Sequence, residues 1–225
     1  MDADGRGADR QGSDKQGIDT DRQSTDRPGA DSPGAEAQGP DSQSTDKQCT
    51  DRPGGCGPLR GALVTLRQAT TGDVPALAAI RAQPQVYRWW RGGPDLTAAV
   101  TEELSVEDEY GFVIEHAGRT VGLVQWSAQD EPDYRHASID IYLDAASHGR
   151  GLGADAVRTL ARHLIVEHGH HRITIDPAAD NTAAIRCYAK VGFKPVGIMR
   201  GYERGPDGTW HDGLLMDLLA DELID

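Results

Sequence analysis

Apolar residues are distributed unevenly along the chain, and their spacing changes near residue 58. Residues 1–58 contain no Val, Leu, Phe, Tyr or Trp, and Ile18 is their only branched aliphatic residue. Such a segment buries too little apolar surface to offset its ordering entropy, about 1 to 2 kcal/mol per residue. We therefore predict a disordered, low-complexity tail over residues 1–58 and one folded domain over residues 59–225.

Within the folded part, apolar positions alternate in some stretches and recur every three to four residues in others. Alternation predicts strands, and the longer period predicts helices with one buried face. Strands are predicted at 63–68, 112–116, 120–127, 139–143, 173–175, 193–200 and 214–218. Helices are predicted from about residue 71, from about residue 96, over 152–168, and from 181 to a stop at Gly192. The pattern predicts a mixed α/β fold, with about seven strands in the sheet and about four helices.

Three closely spaced glycines follow the strand predicted at 139–143. Gly149, Gly151 and Gly153 lie in the turn HGRGLG, which leads directly into the helix predicted at 152–168. Glycine lets the backbone approach a ligand closely, and a helix N-terminus presents unpaired N–H groups and about half a positive charge. The turn therefore predicts a pyrophosphate site, although it matches neither common nucleotide fingerprint.

A second motif lies downstream, in the segment ITIDPAADNTAAIRCYAKVGF at 173–193. A β-branched strand ends at Asp176, and a helix follows with Asn181 near its start and Tyr188 on one face. Together with the glycine turn, this order resembles the core of the GNAT superfamily of N-acetyltransferases, which bind acetyl-CoA. The resemblance extends from about residue 64 to the C-terminus and implies an acyltransferase of the N-acetyltransferase class.

In the fold that this resemblance implies, the strands at 139–143 and 173–176 splay apart, and the pantetheine arm of acetyl-CoA lies in the gap. The resemblance implies that acetyl-CoA is bound by Ile141, Tyr142, Leu143, His148, Gly149, Arg150, Gly151, Leu152, Gly153, Asn181, Ala184 and Tyr188. One position departs from the family pattern, because the turn motif begins with His148 where Arg or Gln is usual. No metal is implied.

The chemistry of acetyl transfer suggests catalytic roles for a few residues near the predicted acetyl-CoA site. Transfer from a thioester to an amine needs a deprotonated amine, a polarised carbonyl and a proton for the departing thiolate. In the resembled family, backbone N–H groups of the central strand hold the carbonyl, and Tyr188 occupies the position of the usual general acid. Asp140 is the candidate for the base or for a group that orients the ammonium, and Asp176 could share that work. Cys187 offers a ping-pong alternative, but we expect it on a different helix face from Tyr188.

A finer resemblance concerns the acceptor. The segments VYRWWRGG, TIDPAADNTAAIRCY and PDG are similar to those of the aminoglycoside 6′-N-acetyltransferases, which acetylate a primary amine of a polycationic aminosugar and confer antibiotic resistance. The implied substrate site has Trp89 and Trp90 as a platform for sugar rings, and Asp140, Asp176 and Asp207 as negative charges. Spacing before Asp207 departs from that pattern, so Asp212 is the alternative there. The two tryptophans are equally compatible with a place in the core.

Other functions remain open on the sequence alone. Two concern other acceptors: hydroxylysine-type siderophore precursors, and the N-termini of proteins, including ribosomal proteins. A catalytically silent acetyl-CoA-binding module is a third, because His148 departs from the family pattern.

The formal net charge of −13 narrows the expected partners. Nucleic-acid binding requires a surplus of Lys and Arg, so the acidic chain argues against it, whereas a cationic small-molecule amine is compatible. Neither a signal peptide nor an apolar run of about 18 residues is present, so we expect a cytoplasmic protein without membrane association. His168, His170 and His171 are interpreted as a solvated loop with no metal. Both a monomer and a homodimer are compatible with the sequence.

Overall fold

The structure is a computed structural model, and it describes residues 57–90, 93–106, 109–205 and 208–225. The predicted tail lies outside the described residues except for Gly57 and Pro58, so its disorder stays a prediction. Asp207 and the pair Arg91 and Gly92 also lie outside them. Among the helices that are described, none has the length and apolar character needed to cross a membrane.

In the described part of the chain, eight strands form one sheet in the order β1-β2-β3-β4-β5-β6-β8-β7. Their bounds are β1 Leu59–Arg60, β2 Thr65–Gln68, β3 Glu109–His116, β4 Arg119–Gln129, β5 His136–Leu143, β6 Arg172–Ile175, β7 Lys194–Arg204 and β8 Trp210–Leu219. Neighbouring strands are antiparallel except for β5 and β6, which are parallel. The parallel pair lies near the middle of the sheet.

Helices pack on both faces of this sheet. Their bounds are α1 Val74–Arg81, α2 Pro84–Tyr87, α3 Leu96–Glu103, α4 Leu152–Val166 and α5 Thr182–Ala189. One core holds Leu160 and Leu164 of α4 against Ile139 and Ile173 of the central strands. The second core holds residues of α1 and α3 against the opposite face, where Tyr142 lies. Alternate residues of β5 therefore enter different cores.

The predicted mixed α/β fold is confirmed, with one strand and one α-helix more than expected among the described residues. The additional elements are β1 and α2, which have two and four residues. Segments this short offer too few positions to show a period. The strand predicted at 193–200 extends through β7 to Arg204, and the helix predicted at 152–168 ends at Val166.

Local sequence explains the longest predicted elements. The β3–β4 hairpin turns through Ala117 at φ 50° and Gly118 at φ 73°, the positive-φ pair of the turn whose twist matches the flanking strands. Helix α4 buries one stripe of apolar residues, among them Leu152, Leu160 and Leu164, which are at most 2% exposed. Each such leucine contributes about 2 kcal/mol of hydrophobic free energy to folding. The stripe fixes α4 across the central strands.

The expected splay of the central strands is present. In the described residues the β5–β6 ladder contains two pairs, Ala137 with Ile173 and Ser138 with Thr174. The hydroxyls of Ser138 and Thr174 are 2.8 Å apart and tie the strands together at that point. Beyond it, β5 continues in register with β4 alone, so a gap opens beside residues 139–143.

Candidate active site

The glycine turn after β5 has an open backbone. Gly149 and Gly151 have φ of 72° and 83°, a region that favours glycine, and Gly151 is the N-cap of α4. A Cβ added at Gly149 would meet no atom within 4 Å. The first N–H groups of α4, which begins at Leu152, follow directly. This arrangement can hold an anionic group at the helix N-terminus.

Two histidines hold this turn. The Nε2–H of His148 donates to the Leu143 carbonyl at 3.0 Å, which ties the turn to the end of β5. His116 has its Nδ1 2.8 Å from the Leu63 carbonyl, so Nδ1 carries the proton and donates. Its Nε2 then accepts a hydrogen bond from Arg150 at 3.3 Å. The departure at His148 thus has a structural role, and a second histidine orients the arginine of the turn.

His116 was missed by the sequence reasoning. It lies on β3, 34 residues before Arg150, and no local motif connects the two. The contact exists because β3 and the β1–β2 loop meet beside the N-terminus of α4. Only the folded sheet reveals it.

Along β5, every second backbone N–H group points towards the gap. The Asp144 N–H donates to Val121, on the β4 side. By alternation, the N–H of Tyr142 also faces β4, and the N–H groups of Ile141 and Leu143 face the gap. The Tyr142 side chain is buried in the second core, where Trp90 lies 4.9 Å away between ring centroids. The side chain and the backbone N–H of Tyr142 thus both face away from the gap, and its contact with acetyl-CoA stays a prediction.

Tyr188 lies on the buried face of α5 and is 8% exposed. Burial raises the pKa of its phenol well above the ordinary value. The nearby carboxylate charges of Asp140 and Asp176 raise this pKa further. The phenol therefore keeps its proton at neutral pH, which is the state that a general acid requires.

The two candidate carboxylates lie within electrostatic reach of that phenol. Asp140 is solvent-exposed on β5, opposite Gln125 of β4. Asp176 directly follows β6 and is half-buried, and loss of solvent raises its pKa. A hydrogen bond from Tyr202 acts in the opposite direction on Asp176. The structure thus places Asp140 and Asp176 near Tyr188, and the roles expected of the three residues stay predictions.

Tyr202 is a second residue that the sequence reasoning missed. The strand was expected to end at residue 200, whereas β7 continues to Arg204 and carries Tyr202 to the site. The hydrogen bond with Asp176 raises the pKa of Tyr202 to about 12, so this phenol also stays protonated. No spacing rule links the two residues, because they lie on elements that become neighbours only through β8.

The start of α5 is organised by Asn181. Its side-chain oxygen accepts from the Ala184 N–H at 3.1 Å, so Asn181 is the N-cap of the helix. Ala184 is half-buried against the first core, and the side chain of Leu152 is fully within that core. For Leu152, the group that can reach an anion is therefore its backbone N–H.

The predicted acceptor residues have different surroundings. Trp90 rests on Tyr142 in the second core, and Trp89 lies under the Arg88 guanidinium at 4.2 Å. The two rings therefore have separate neighbours. Asp207 lies outside the described residues. Its alternative, Asp212, accepts a hydrogen bond from the Gly201 N–H through Oδ1 at 2.8 Å.

Cys187 is half-buried beneath the glycine turn. A Cβ on Gly153 would lie 3.4 Å from its sulfur, which places the thiol beside the start of α4. Burial raises the pKa of the Cys187 thiol and disfavours the thiolate that a nucleophile needs. The position and the protonation state both argue against the ping-pong alternative.

The histidine cluster differs from the expected solvated loop. His170 is 2% exposed and packs edge-on against Trp126, while His163 and His168 approach each other to 3.2 Å between their Nε2 atoms. Burial lowers the pKa of His170 to about 4. The solvated interpretation is therefore wrong for His170, although His171 is exposed. Among the described residues, no group of three or more His, Cys, Asp or Glu side chains is arranged to hold a metal ion.

Residues 64–194 match the family model described as Acetyltransferase (GNAT) domain. The chain is 32% identical over 165 residues to the aminoglycoside N(6′)-acetyltransferase type 1 of Klebsiella pneumoniae. That alignment covers 64% of this chain and 79% of the relative.

Two solved structures share the architecture. RimJ of Mycobacterium smegmatis, in complex with CoA-disulfide, matches with a TM-score of 0.65 and 27% identity over 75% of this chain and 88% of its own. AAC(6′)-Ib in complex with paromomycin and acetyl-CoA matches with a TM-score of 0.59 and 27% identity, over 71% of this chain and 95% of its own.

Proposed function

The chain belongs to the GNAT acetyltransferases, and on that premise we propose that it transfers the acetyl group of acetyl-CoA to the 6′-amine of aminoglycosides. Acetylation removes a positive charge that such antibiotics carry, so the reaction would confer resistance. The acceptor is a small cationic amine, which suits an acidic chain of net charge −13.

The observation that carries this proposal is the pair of carboxylates at the β5–β6 gap. Asp140 and Asp176 lie on neighbouring strands, and both charges act on Tyr188. Two carboxylates suit an acceptor with several ammonium groups, because charge-assisted hydrogen bonds are about twice as strong as neutral ones. The relative from Klebsiella, aligned over 79% of its length, is named for the same acceptor amine.

The turn and the gap fit acetyl-CoA as co-substrate. Positive φ at Gly149 and Gly151, with open space over Gly149, leaves room for a pyrophosphate at the N-terminus of α4. Arg150, oriented by His116, supplies a positive charge beside it. The pantetheine arm of acetyl-CoA would then lie along the gap, past Leu143 and Ile141, towards Tyr188.

The residues at the gap supply the three requirements of the reaction. A C–N bond forms between the amine and the acetyl carbon, and the C–S bond to CoA breaks. Asp140 and Asp176 hold the ammonium and accept its proton, directly or through water. A backbone N–H of Ile141 or Leu143 donates to the thioester oxygen as negative charge develops there. Tyr188 gives its phenolic proton to the departing thiolate and regains a proton, through water, from the nitrogen once the C–N bond has formed.

The test is thiol release from acetyl-CoA by the purified protein with a panel of amines. The panel contains kanamycin, tobramycin, a hydroxylysine and a short basic peptide, with an aminoglycoside bearing a 6′-hydroxyl as matched control. We expect release with kanamycin and tobramycin and none with the 6′-hydroxyl analogue. Release with the hydroxylysine or the peptide alone would overturn the antibiotic assignment and retain the acetyltransferase. Tight acetyl-CoA binding without release for any amine would favour a silent binding module.

A further inference from the structure

A β-bulge interrupts the β7–β8 hairpin next to the gap. Met199 pairs with Gly213 and Glu203 pairs with His211, so three residues of β7 (Arg200, Gly201 and Tyr202) oppose Asp212 alone. Bulges bend the strand and redirect the side chains on it, and they are frequent next to active sites. Here the redirected side chain is that of Tyr202.

Specific contacts hold this bulge in place. Gly201 has φ 56°, a conformation that favours glycine, and its N–H donates to Asp212 Oδ1 at 2.8 Å. The backbone carbonyl of Asp212 accepts from the Ala179 N–H at 2.9 Å. The bulge is therefore attached to the segment that connects Asp176 with α5.

Gly213 provides the space into which the Tyr202 ring turns. A Cβ on Gly213 would lie 2.9 Å from Tyr202 Cδ1 and 3.0 Å from Met199 Cε, closer than packed carbon atoms approach. Gly213 itself bridges to Ala178, two residues after Asp176. The ring thus lies across β8 beside the end of β6, and its hydroxyl reaches the Asp176 carboxylate.

We propose that Tyr202 is a positioning residue of the acceptor site, which fixes the Asp176 carboxylate for the incoming ammonium and forms the outer wall of the site with its ring. This deepens the proposed function and rests on it for the identity of the amine. Tyr202 is 52% exposed, although aromatic residues usually bury most of their surface. The negative charge of Asp140 is near enough to raise the pKa of the Tyr202 phenol. The Tyr202 hydroxyl donates one hydrogen bond, which leaves further lone pairs of the carboxylate for the ammonium.

The hydrogen bond has a consequence for the ionisation of Asp176. Loss of solvent disfavours the charged form and raises its pKa, whereas the donated hydrogen bond favours the charged form. Without the hydroxyl, the pKa of Asp176 is expected to rise further. The carboxylate would then become neutral at a higher pH and hold an ammonium less well in mild acid.

The decisive experiment is a carbon-13 NMR titration of the Asp176 carboxyl group, assigned by its absence in Asp176→Asn. Tyr202→Phe keeps the ring and removes the hydroxyl. We expect the midpoint to move to higher pH in Tyr202→Phe and also in Gly213→Ala, which displaces the ring. Tyr134→Phe is the matched control, because Tyr134 is 73% exposed in the turn before β5. An unchanged midpoint in Tyr202→Phe, or an equal change in Tyr134→Phe, would overturn the proposal.

Kinetics provide a second readout with whichever amine the protein acetylates. Tyr202→Phe is expected to raise the KM for the amine about three- to tenfold in mild acid, the equivalent of one net hydrogen bond, and less in mild base. The KM for acetyl-CoA should stay within about twofold, since Tyr202 lies on β7 beside Asp176 and not at the glycine turn. If wild type and Tyr202→Phe had equal KM values for the amine at every pH from mild acid to mild base, the result would count against the proposal. Failure to acetylate aminoglycosides would remove the proposed function, while the titration would still decide the role of Tyr202.

Discussion

Tyr188 is almost fully buried, whereas Tyr202, which also interacts with Asp176, is about half exposed. Burial keeps the pKa of Tyr188 high, and the carboxylates of Asp140 and Asp176 act in the same direction, so the phenol retains its proton throughout the neutral range. A thiolate that leaves within the same desolvated gap also has a raised proton affinity, which favours transfer from the phenol. A shared environment of donor and acceptor would thus suit Tyr188 to the role of acid that we propose for it.

Tyr188→Phe isolates this role, because it removes the hydroxyl and keeps the ring in the first core. We expect kcat to fall about 100-fold, within the range of general acid catalysis, with little change in the KM for acetyl-CoA. Steady-state thiol release with the best amine of the panel measures both values. Tyr110→Phe, on β3 beside Trp126, is the matched control. Wild-type turnover in Tyr188→Phe would remove this residue as the acid.

At the level of elements, one carboxylate joins the start of the sheet to the start of α4. Asp155 accepts hydrogen bonds from the N–H groups of Ala62, Leu63 and Val64 at 3.1, 2.7 and 3.0 Å. The carbonyl of Leu63 in turn holds His116, which orients Arg150. The β1–β2 loop and the glycine turn are therefore connected through Asp155 and His116, so the proposed cofactor site depends on contacts of this loop.

Asp155→Asn tests this connection. The amide oxygen can replace part of the acceptor capacity, but its NH2 group faces N–H donors, so buried hydrogen bonds are lost. We expect a loss of about 3 kcal/mol in the free energy of unfolding, as for charged hydrogen bonds broken in a buried site. The KM for acetyl-CoA should rise as well, because Arg150 loses its support. Asp133→Asn, in an exposed turn, is the control, and urea unfolding with steady-state kinetics gives both readouts. Unaltered stability would show that the carboxylate is not needed.

Some elements of the fold could be predicted from the sequence, and others could not. Helix α4, β4 and the glycine turn were predictable, because each is coded by a continuous run of residues with a clear period or motif. The candidate roles of Tyr188 and Asp140 rest on the same local motifs and stay predictions. The bulge at Tyr202 and the contact between His116 and Arg150 were not predictable, since each depends on residues that distant strands bring together. Alternation also does not show that the Tyr142 backbone pairs with β4, because the order of strands in the sheet is set by the whole fold.

At the scale of the whole molecule, protonation of two buried groups lowers the stability of the folded state as the pH falls, each over its own pH range. Arg67 holds the pKa of Asp73 down to about 2, so the stability that this pair contributes is present above the ordinary value of 3.8 and is lost as pH falls through 2. His170 is neutral in the folded state down to a pKa of about 4, whereas the unfolded chain binds its proton near 6.5. Stability from this second group is therefore lost between pH 6.5 and 4, and the loss from Asp73 follows below that range.

His170→Leu separates these two contributions, because leucine cannot be protonated. The buried Nδ1 of His170 has no hydrogen-bond partner among the described residues, so an apolar replacement of similar size should cost little at neutral pH. In wild type we expect His170 to account for about 3 kcal/mol of lost stability between pH 6.5 and 4, which Leu should abolish. His163 and His168, whose pKa values are also lowered by burial, leave a smaller dependence in the variant. Urea unfolding at a series of pH values gives the slopes, with exposed His171→Leu as control. If His170→Leu and wild type lost stability in parallel, protonation of His170 would not limit folding in acid, and the Trp126 contact would be its main role.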